Sequence, residues 1–299
     1  MSITSEVMRG HDLGGNRAAY RGRVIVGRMT TMTSAAAGPP AVGELLRDWR
    51  RRRRLSQLDL SIQADISARH LSFVETGRSR PTPEMILRLT EQLDVPLRER
   101  NTLLLAGGYA PAYPEHGLDA PELDSVRTAL RQVLTAHQPN PAVVVNRWWE
   151  LAGANDAVAL LTGGCAPWLL EPPANVLRLS LHPDGMAPRI ANLPQWRGHL
   201  LTQLRRRADV LGDQRLADLH DELTGYPGGQ VTAVPATAVV LPLRLRSGDR
   251  ELSFFSIHAV VGTASDVTVE ELAIEAFYPA DAATSDALRA LAAGSLSTS

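Results

Sequence analysis

The 299-residue chain contains no lysine; all 31 of its basic residues are arginine. That bias says little about mechanism, whereas the placement of the arginines says more. Cysteine is nearly absent too. Cys165 stands alone, so there is no internal disulfide and no zinc site of several cysteines, which fits a cytoplasmic location. No stretch approaches the ~18 uninterrupted apolar residues of a membrane-spanning helix. Arg9, Arg17, Arg21 and Arg23 near the start are not followed by an apolar segment, so the pattern is not that of a secretory signal. Catalytic signatures are missing as well: there is no HExxH, no GxSxG and no phosphate loop. His182-Pro183-Asp184 and His220-Asp221-Glu222 set acids beside histidines, but neighbours in sequence do not face one another on a helix or strand. Gly163-Gly164-Cys165 lacks a recognisable partner. An enzyme, a metal centre and a bound organic cofactor are therefore not expected.

What is present is a hydrophobic share of 44%, enough for a packed core, in a length that suits one large domain or two ordinary ones. Charge divides the chain. Residues 1–40 hold five arginines against Glu6 and Asp12, residues 41–109 twelve arginines against nine acids, and residues 110–299 fourteen against 21. A basic front on an acidic back suggests two domains with different partners. Residues 1–40 lack periodicity, end in Ser-Ala-Ala-Ala-Gly-Pro-Pro and read as a disordered tail; Met29 and Met32 are alternative starts to Met1.

Five short helices are predicted between Val42 and Ala106, within a domain set at 41–107. Val42, Leu45, Leu46 and Trp49 share one face of the first. Ser56-Gln57-Leu58-Asp59 has the form of a capping box at the start of the second. Asp65-Ile66 makes a turn, Ser67 caps the third helix, and Gly77 ends it. Thr82-Pro83-Glu84 opens the fourth and Val95-Pro96 breaks it. Leu58, Leu60, Ile62, Ile66, Leu71 and Val74 are the expected shared core. Two short helices held across a tight turn, with polar positions outside, can present the second helix to the major groove of DNA, ~12 Å wide.

The stretch Leu55–Arg80 resembles the lambda-repressor-like, XRE/Cro-type helix-turn-helix family. The likeness rests on Leu55-Ser56-Gln57, Ala64, Ile66-Ser67, Leu71, Val74, Glu75 and Gly77. It departs from the family at Asp65, where glycine is usual; Asp tolerates a left-handed backbone better than most residues. The resemblance implies DNA-contacting roles for Gln57 and Ser67 on phosphate. Ala68, Arg69, Ser72 and Phe73 would face bases, with His70 flanking, and Thr76, Arg78 and Arg80 would contact phosphates beyond the helix. Arg69 is the strongest specificity candidate, because a guanidinium bonds guanine O6 and N7 together. Arg50 and Glu75 match a pair that joins the first helix to the third and are structural. In the run Arg50–Arg54, one or two further members are expected near phosphate and the rest in solvent.

Beyond a linker at 108–120, a second domain is predicted at 121–290, with a flexible tail at 291–299. Its order is a helix to about Ala136, short strands at Ala142–Val145 and Trp148–Ala152, and a helix capped by Asn155. A helical stretch from Trp196 to Leu223 follows, then strands at Ala238–Leu245, Glu251–Val261 and Leu272–Phe277, and a last helix from Ala283. This is compatible with an α+β, PAS-like sensor fold, in which a curved sheet and helices enclose an apolar cavity. The segment also resembles the ligand-binding domain of MmyB-like transcription regulators, through Gln138–Asn155, Pro173–Arg178, the helix around Trp196–Leu223 and Glu271–Asp281.

That resemblance implies a small apolar, fatty-acid-like ligand. Trp148, Trp149, Trp196 and Phe254 are candidate pocket residues, with Ser256 and His258 placed to orient a carboxylate. As strand neighbours, Trp148 and Trp149 would point to opposite faces, and Phe254 and Phe255 likewise. The expected protein is a homodimeric, sequence-specific regulator on a pseudo-palindromic DNA duplex, without a membrane partner. The competing reading is a DNA-binding protein whose C-terminal half serves only dimerisation or protein contacts. A closed apolar cavity favours the first reading and a solid interior the second.

Overall fold

The computed structural model describes residues 41–229 and 240–296. The expected tail at 1–40, residues 238 and 239 of an expected strand, and residues 297–299 lie outside the described residues. Helices α1 (Val42–Arg52), α2 (Gln57–Gln63), α3 (Ala68–Glu75), α4 (Pro83–Gln92) and α5 (Leu97–Ala106) form the headpiece. Their ends follow the capping logic of the sequence. Ser56 Oγ accepts from the Asp59 amide at 3.1 Å while the Asp59 carboxylate accepts from the Ser56 amide at 3.0 Å. Ser67 Oγ accepts from the His70 amide at 3.1 Å, and Thr82 Oγ1 from the Met85 amide at 3.3 Å. Asp65 takes φ +50° and Gly77 φ +71°, the left-handed backbone that turns the chain out of each helix.

Leu46, Trp49, Leu60, Leu71, Val74, Ile86, Leu89 and Leu104 are buried together beneath these helices. Of the expected core residues, Ile66 is half-buried against this cluster, whereas Leu58 is 60% exposed and Ile62 70%. α2 is only seven residues long and buries Leu60 and Ser61, followed by Ala64 at its end. Leu58 and Ile62 are four apart and therefore share the opposite, outer face.

The segment 108–120 carries no helix or strand, but it is pinned at both ends. Asn101 Oδ1 accepts from the amides of Ala112 and Tyr113, at 3.0 and 3.1 Å. The His116 ring bonds Asp266 at 2.7 Å.

The C-terminal domain is α+β. Helix α6 (Asp124–Ala136) leads to strands β1 (Ala142–Val145) and β2 (Leu151–Ala154), then to helices α7 (Ala159–Thr162), α8 (Val176–Leu181), α9 (Leu193–Leu211) and α10 (Gln214–Thr224). Strands β3 (Leu243–Ser247) and β4 (Arg250–Val260), helix α11 (Val267–Glu270), strand β5 (Ala273–Pro279) and helix α12 (Ala282–Leu296) complete it. The strands form one antiparallel sheet in the order β2-β1-β5-β4-β3. β3 and β4 close on Gly248-Asp249, with Ser247 paired to Arg250 and Gly248 at φ +57°.

Alternation sorts the two faces of the sheet. Val143, Val145, Leu252, Phe254 and Ala273 join the main core under α8, α9 and α10. Ala142, Val144, Ile274 and Ala276 meet Leu130 and Leu134 of α6 on the other side.

Four expectations change here. β2 starts at Leu151, so Trp148 and Trp149 belong to the β1–β2 turn and not to a strand. Asn155 caps no helix with its side chain. Its amide instead donates to the carbonyls of Leu134 and Asn140, and its oxygen accepts from Ala142, which ties α6 to the sheet. The helical stretch ending at Leu223 is two helices, because Gly212 at φ +64° ends α9 and the Asp213 side chain caps α10. Helix α12 reaches Leu296, into the segment expected to be a flexible tail.

Candidate DNA interface and ligand cavity

Helix α3 buries Leu71, Val74 and Glu75 and turns its remaining side chains outward. Ser67, Arg69, Thr76, Arg78 and Arg80 are exposed, and Ala68, His70, Ser72 and Phe73 half-buried. The Phe73 ring carries Arg69 at 5.4 Å and Arg78 at 6.0 Å from its centroid, so two of the expected contact residues lean on a third. Thr76 Oγ1 donates back to the Ser72 carbonyl at 2.7 Å. One Arg80 nitrogen is already committed to the Gly107 carbonyl at 2.7 Å, which fastens the end of α5.

Glu75 is the hub that orients α3. Its side chain is 0% exposed and accepts a two-pronged contact from Arg50, Nε to Oε1 at 2.6 Å and Nη2 to Oε2 at 2.8 Å. Gln57 Nε2 adds a third bond at 2.8 Å, and Arg47 donates to the Glu75 carbonyl at 2.6 Å. Burial pushes the Glu75 carboxyl up, but the hydrogen bonds from Arg50 and Gln57 and the charges of Arg50 and Arg47 hold it below its ordinary value. Gln57 thus braces the third helix through Glu75. In the rest of the arginine run Arg51, Arg52 and Arg54 are exposed and Arg53 is half-buried. Arg53 donates to the carbonyls of Leu93 and Asp94 beyond the end of α4, both at 2.7 Å. Arg52 donates to the Leu211 carbonyl, the last residue of α9, at 3.0 Å.

Between the sheet and helices α7, α8 and α9 lies a cavity of about 580 Å³. Its depth is apolar: Val143, Leu177, Met186, Trp196, Leu200 and Leu243 line it and are buried. It is not closed. Ala154, Asp156, Ala159, Gln203 and Ser256 line it and are exposed, which marks a mouth. Of the expected pocket residues, Trp149, Trp196 and Ser256 line the cavity. Trp196 is oriented by its indole nitrogen, which donates to Ser180 Oγ at 3.0 Å.

The other three do not line it. Phe254 is fully buried core beneath α12, because cavity and packed interior divide the inner face of β4 between them. His258 is on the same face further along, where its Nδ1 meets Glu275 Oε1 at 2.7 Å and its ring lies 5.9 Å from that of Trp149. Trp148 faces the headpiece.

That last placement creates an arrangement the sequence did not disclose. The β1–β2 turn is held by Asn146, whose side-chain oxygen accepts from the amides of Trp148 and Glu150 at 2.9 and 3.0 Å. Trp149 is forced to φ +64°, a costly conformation for a bulky residue, and its ring forms cavity wall. Two residues earlier, Arg147 is 4% exposed and bonds three acids. It meets Glu99 of α5 at 2.7 Å, Glu271 at 2.8 Å and Asp213 at 3.0 Å. Trp148 Nε1 also reaches Asp213, at 3.2 Å, and its ring is bordered by Arg98, Arg147 and Arg215 at 4.6–5.4 Å. From the headpiece side, Arg98 grips Glu271 bidentately at 2.7 and 2.9 Å. The Glu270 carboxylate accepts from the Leu97 amide at the start of α5 at 2.7 Å.

One turn therefore touches the cavity with Trp149 and the DNA-binding domain with Arg147. Asn146–Glu150 fell within the stretch that carried the resemblance, but nothing in it marks Arg147 for three acids scattered over 99–271. Glu275, His199 and Gln203, which also line the cavity, had no local signal either.

Two families match the chain. Residues 126–291, more than half its length, match the MmyB-like transcription regulator ligand binding domain, and residues 41–103 match a helix-turn-helix domain. The chain belongs to the MmyB-like transcription regulators. It is also 30% identical, over 116 residues, to a protein described as an uncharacterized HTH-type transcriptional regulator, RghRB, of Bacillus subtilis (strain 168). That match covers 38% of this chain and 81% of the relative. As an MmyB-like regulator, the chain joins a DNA-binding headpiece to a ligand-binding domain and is a transcription regulator, not an enzyme. No helix among the described residues of this regulator is long and apolar enough to cross a membrane.

Proposed function

We propose that this regulator is a cytoplasmic homodimer that binds a pseudo-palindromic DNA site and changes its grip on that site when a small apolar molecule fills the C-terminal cavity. The observation that carries the proposal is the β1–β2 turn. The Trp149 ring is cavity wall, and Arg147, two residues before it, bonds Glu99 of the headpiece. A ligand that favours one position of Trp149 also favours one setting of Arg147, and so biases the position of α5 and the helices packed on it. The cavity volume and apolar depth suit the hydrocarbon part of a fatty-acid-like molecule. A sheet and helices lining an apolar cavity support the PAS-like description, and the cavity, though it opens at a mouth, argues against a domain used for protein contacts alone.

On DNA, α3 enters the major groove. Ala68, Arg69, Ser72 and Phe73 face base edges beside His70, and Gln57, Ser67, Thr76, Arg78 and Arg80 approach phosphates. Two copies read half-sites ~34 Å apart. Native mass spectrometry of freshly purified protein, followed by operator titration before and after organic extraction and refolding, tests the reading. The expected result is a dimer carrying a small molecule, with operator affinity that changes on extraction. A monomer, or an affinity indifferent to extraction in a dimer that lost its ligand, contradicts it.

A further inference from the structure

The charged groups that line the cavity are acidic. Asp156 and Glu275 line it, and no arginine among the described residues does. Residues 230–239, outside the described set, contain no charged residue. His199 also lines the cavity; burial lowers its proton affinity, and the nearby Glu275 charge offsets only part of that, so it is neutral at pH 7. Glu275 Oε1 is occupied by His258, whereas Oε2 has no hydrogen-bond partner among the described residues. The basic side chains facing this carboxylate are His258 and Arg207. Neither lines the cavity; Arg207 sits 5.9 Å from the Trp149 ring centroid and lines a separate cleft with Arg147 and Glu271.

Aromatic faces surround the same corner. Phe277 follows Glu275 by two positions on β5 and shares its face. Trp149 stands beside His258, the partner of Glu275, and the Trp196 ring is 5.8 Å from that of His199. A carboxylate among aromatic faces attracts a cation and repels an anion.

We propose that the ligand of this cavity is an amphiphilic amine: a hydrocarbon tail among Leu177, Leu200 and Met186, and a protonated nitrogen on Glu275 Oε2 within reach of the Trp149 and Phe277 faces. The inference rests on the cavity being a ligand site, as proposed above, and it specifies a head group opposite in charge to a fatty acid's.

Isothermal titration of the full chain at pH 7 with decylamine, 1-decanol and decanoate, which share a ten-carbon chain, tests it. Decylamine is expected to bind at least about ten-fold more tightly than decanol, with decanoate weakest. Glu275→Gln should bring decylamine down to the decanol level and leave decanol binding as it was. Decanoate binding as tightly as decylamine, or all three alike, overturns the amine assignment while leaving the ligand site intact. Decylamine binding unchanged in a folded Glu275→Gln protein overturns the role of Glu275. If none of the three binds, the ligand-site reading falls together with the inference. The wild-type ranking needs no variant, so a misfolded Glu275→Gln protein does not block the test.

Discussion

At the scale of single residues, the headpiece depends on one buried carboxylate. Glu75 accepts from Arg50 and Gln57 at 2.6–2.8 Å and is sealed from water. Removing its charge strands the Arg50 guanidinium in the interior, so Glu75→Gln is expected to destabilise the headpiece by about 3–5 kcal/mol in a urea titration. The pH dependence has a definite sign. The carboxyl is held lower in the folded state than in the unfolded chain, so the unfolded chain binds the proton more readily. The stabilisation is complete above the ordinary carboxylate value of about 4.3 and is lost as pH falls below it. Glu75→Gln should therefore flatten headpiece stability over this acid range.

Two arginines outside the core are separable by a different measurement. Arg69→Ala should relax preference at one base pair by about 1–3 kcal/mol, measured by titrating operators altered one pair at a time. Arg78→Ala should weaken all duplexes alike and reduce the slope of log affinity against log salt by about 0.9. A uniform loss for Arg69→Ala would remove it from the base-reading set.

At the scale of elements, local chemistry was the legible part. Ser56, Ser67 and Thr82 each cap the helix assigned to them, because an N-cap is decided within three residues by one oxygen and one free amide. Asp65 and Gly77 turn the chain for equally local reasons. Ser67→Ala should cost about 1 kcal/mol of headpiece stability in thermal unfolding, with operator binding weakened further if the hydroxyl also meets phosphate.

What was not legible depended on the choice between two faces or on distant partners. Leu58 and Ile62 are as apolar as Leu60, and only the packing of α3 and α4 decides which side of a seven-residue helix is buried. Trp148 and Trp149 read as a strand pair pointing opposite ways. They do end on different sides, but because the turn at Asn146 rotates the chain through a left-handed Trp149 and not because a pleat alternates them. Phe254 lost its place in the cavity to Glu275 and Phe277 on the adjacent strand, a register fact invisible along one segment. The resemblance located the domain, but the acids that hold Arg147 come from α5, from the cap of α10 and from beside α11. No window of sequence contains them together.

At the scale of the whole molecule, the question is how an event in the cavity reaches DNA. Two carboxylates on the sensor side, Asp213 and Glu271, and one on the headpiece side, Glu99, share a single buried guanidinium. Arg147 Nε and Glu99 Oε2 are buried without a hydrogen-bond partner among the described residues, so the cluster is held below full satisfaction. Glu99→Gln removes the headpiece carboxylate that meets Arg147 while Arg98–Glu271 and Leu97–Glu270 keep the domains attached. The variant is expected to fold and to bind operator.

What it should lose is coupling. If ligand changes operator affinity by some factor in the native protein, operator must change ligand affinity by the same factor, since both report one coupling free energy. In Glu99→Gln both factors should shrink together toward one, measured by operator titration with and without ligand and by ligand titration with and without operator. Both factors surviving at native size would show that the signal does not pass through Arg147 and Glu99, and would move it to other contacts such as Arg98–Glu271, Leu97–Glu270 and Arg52–Leu211.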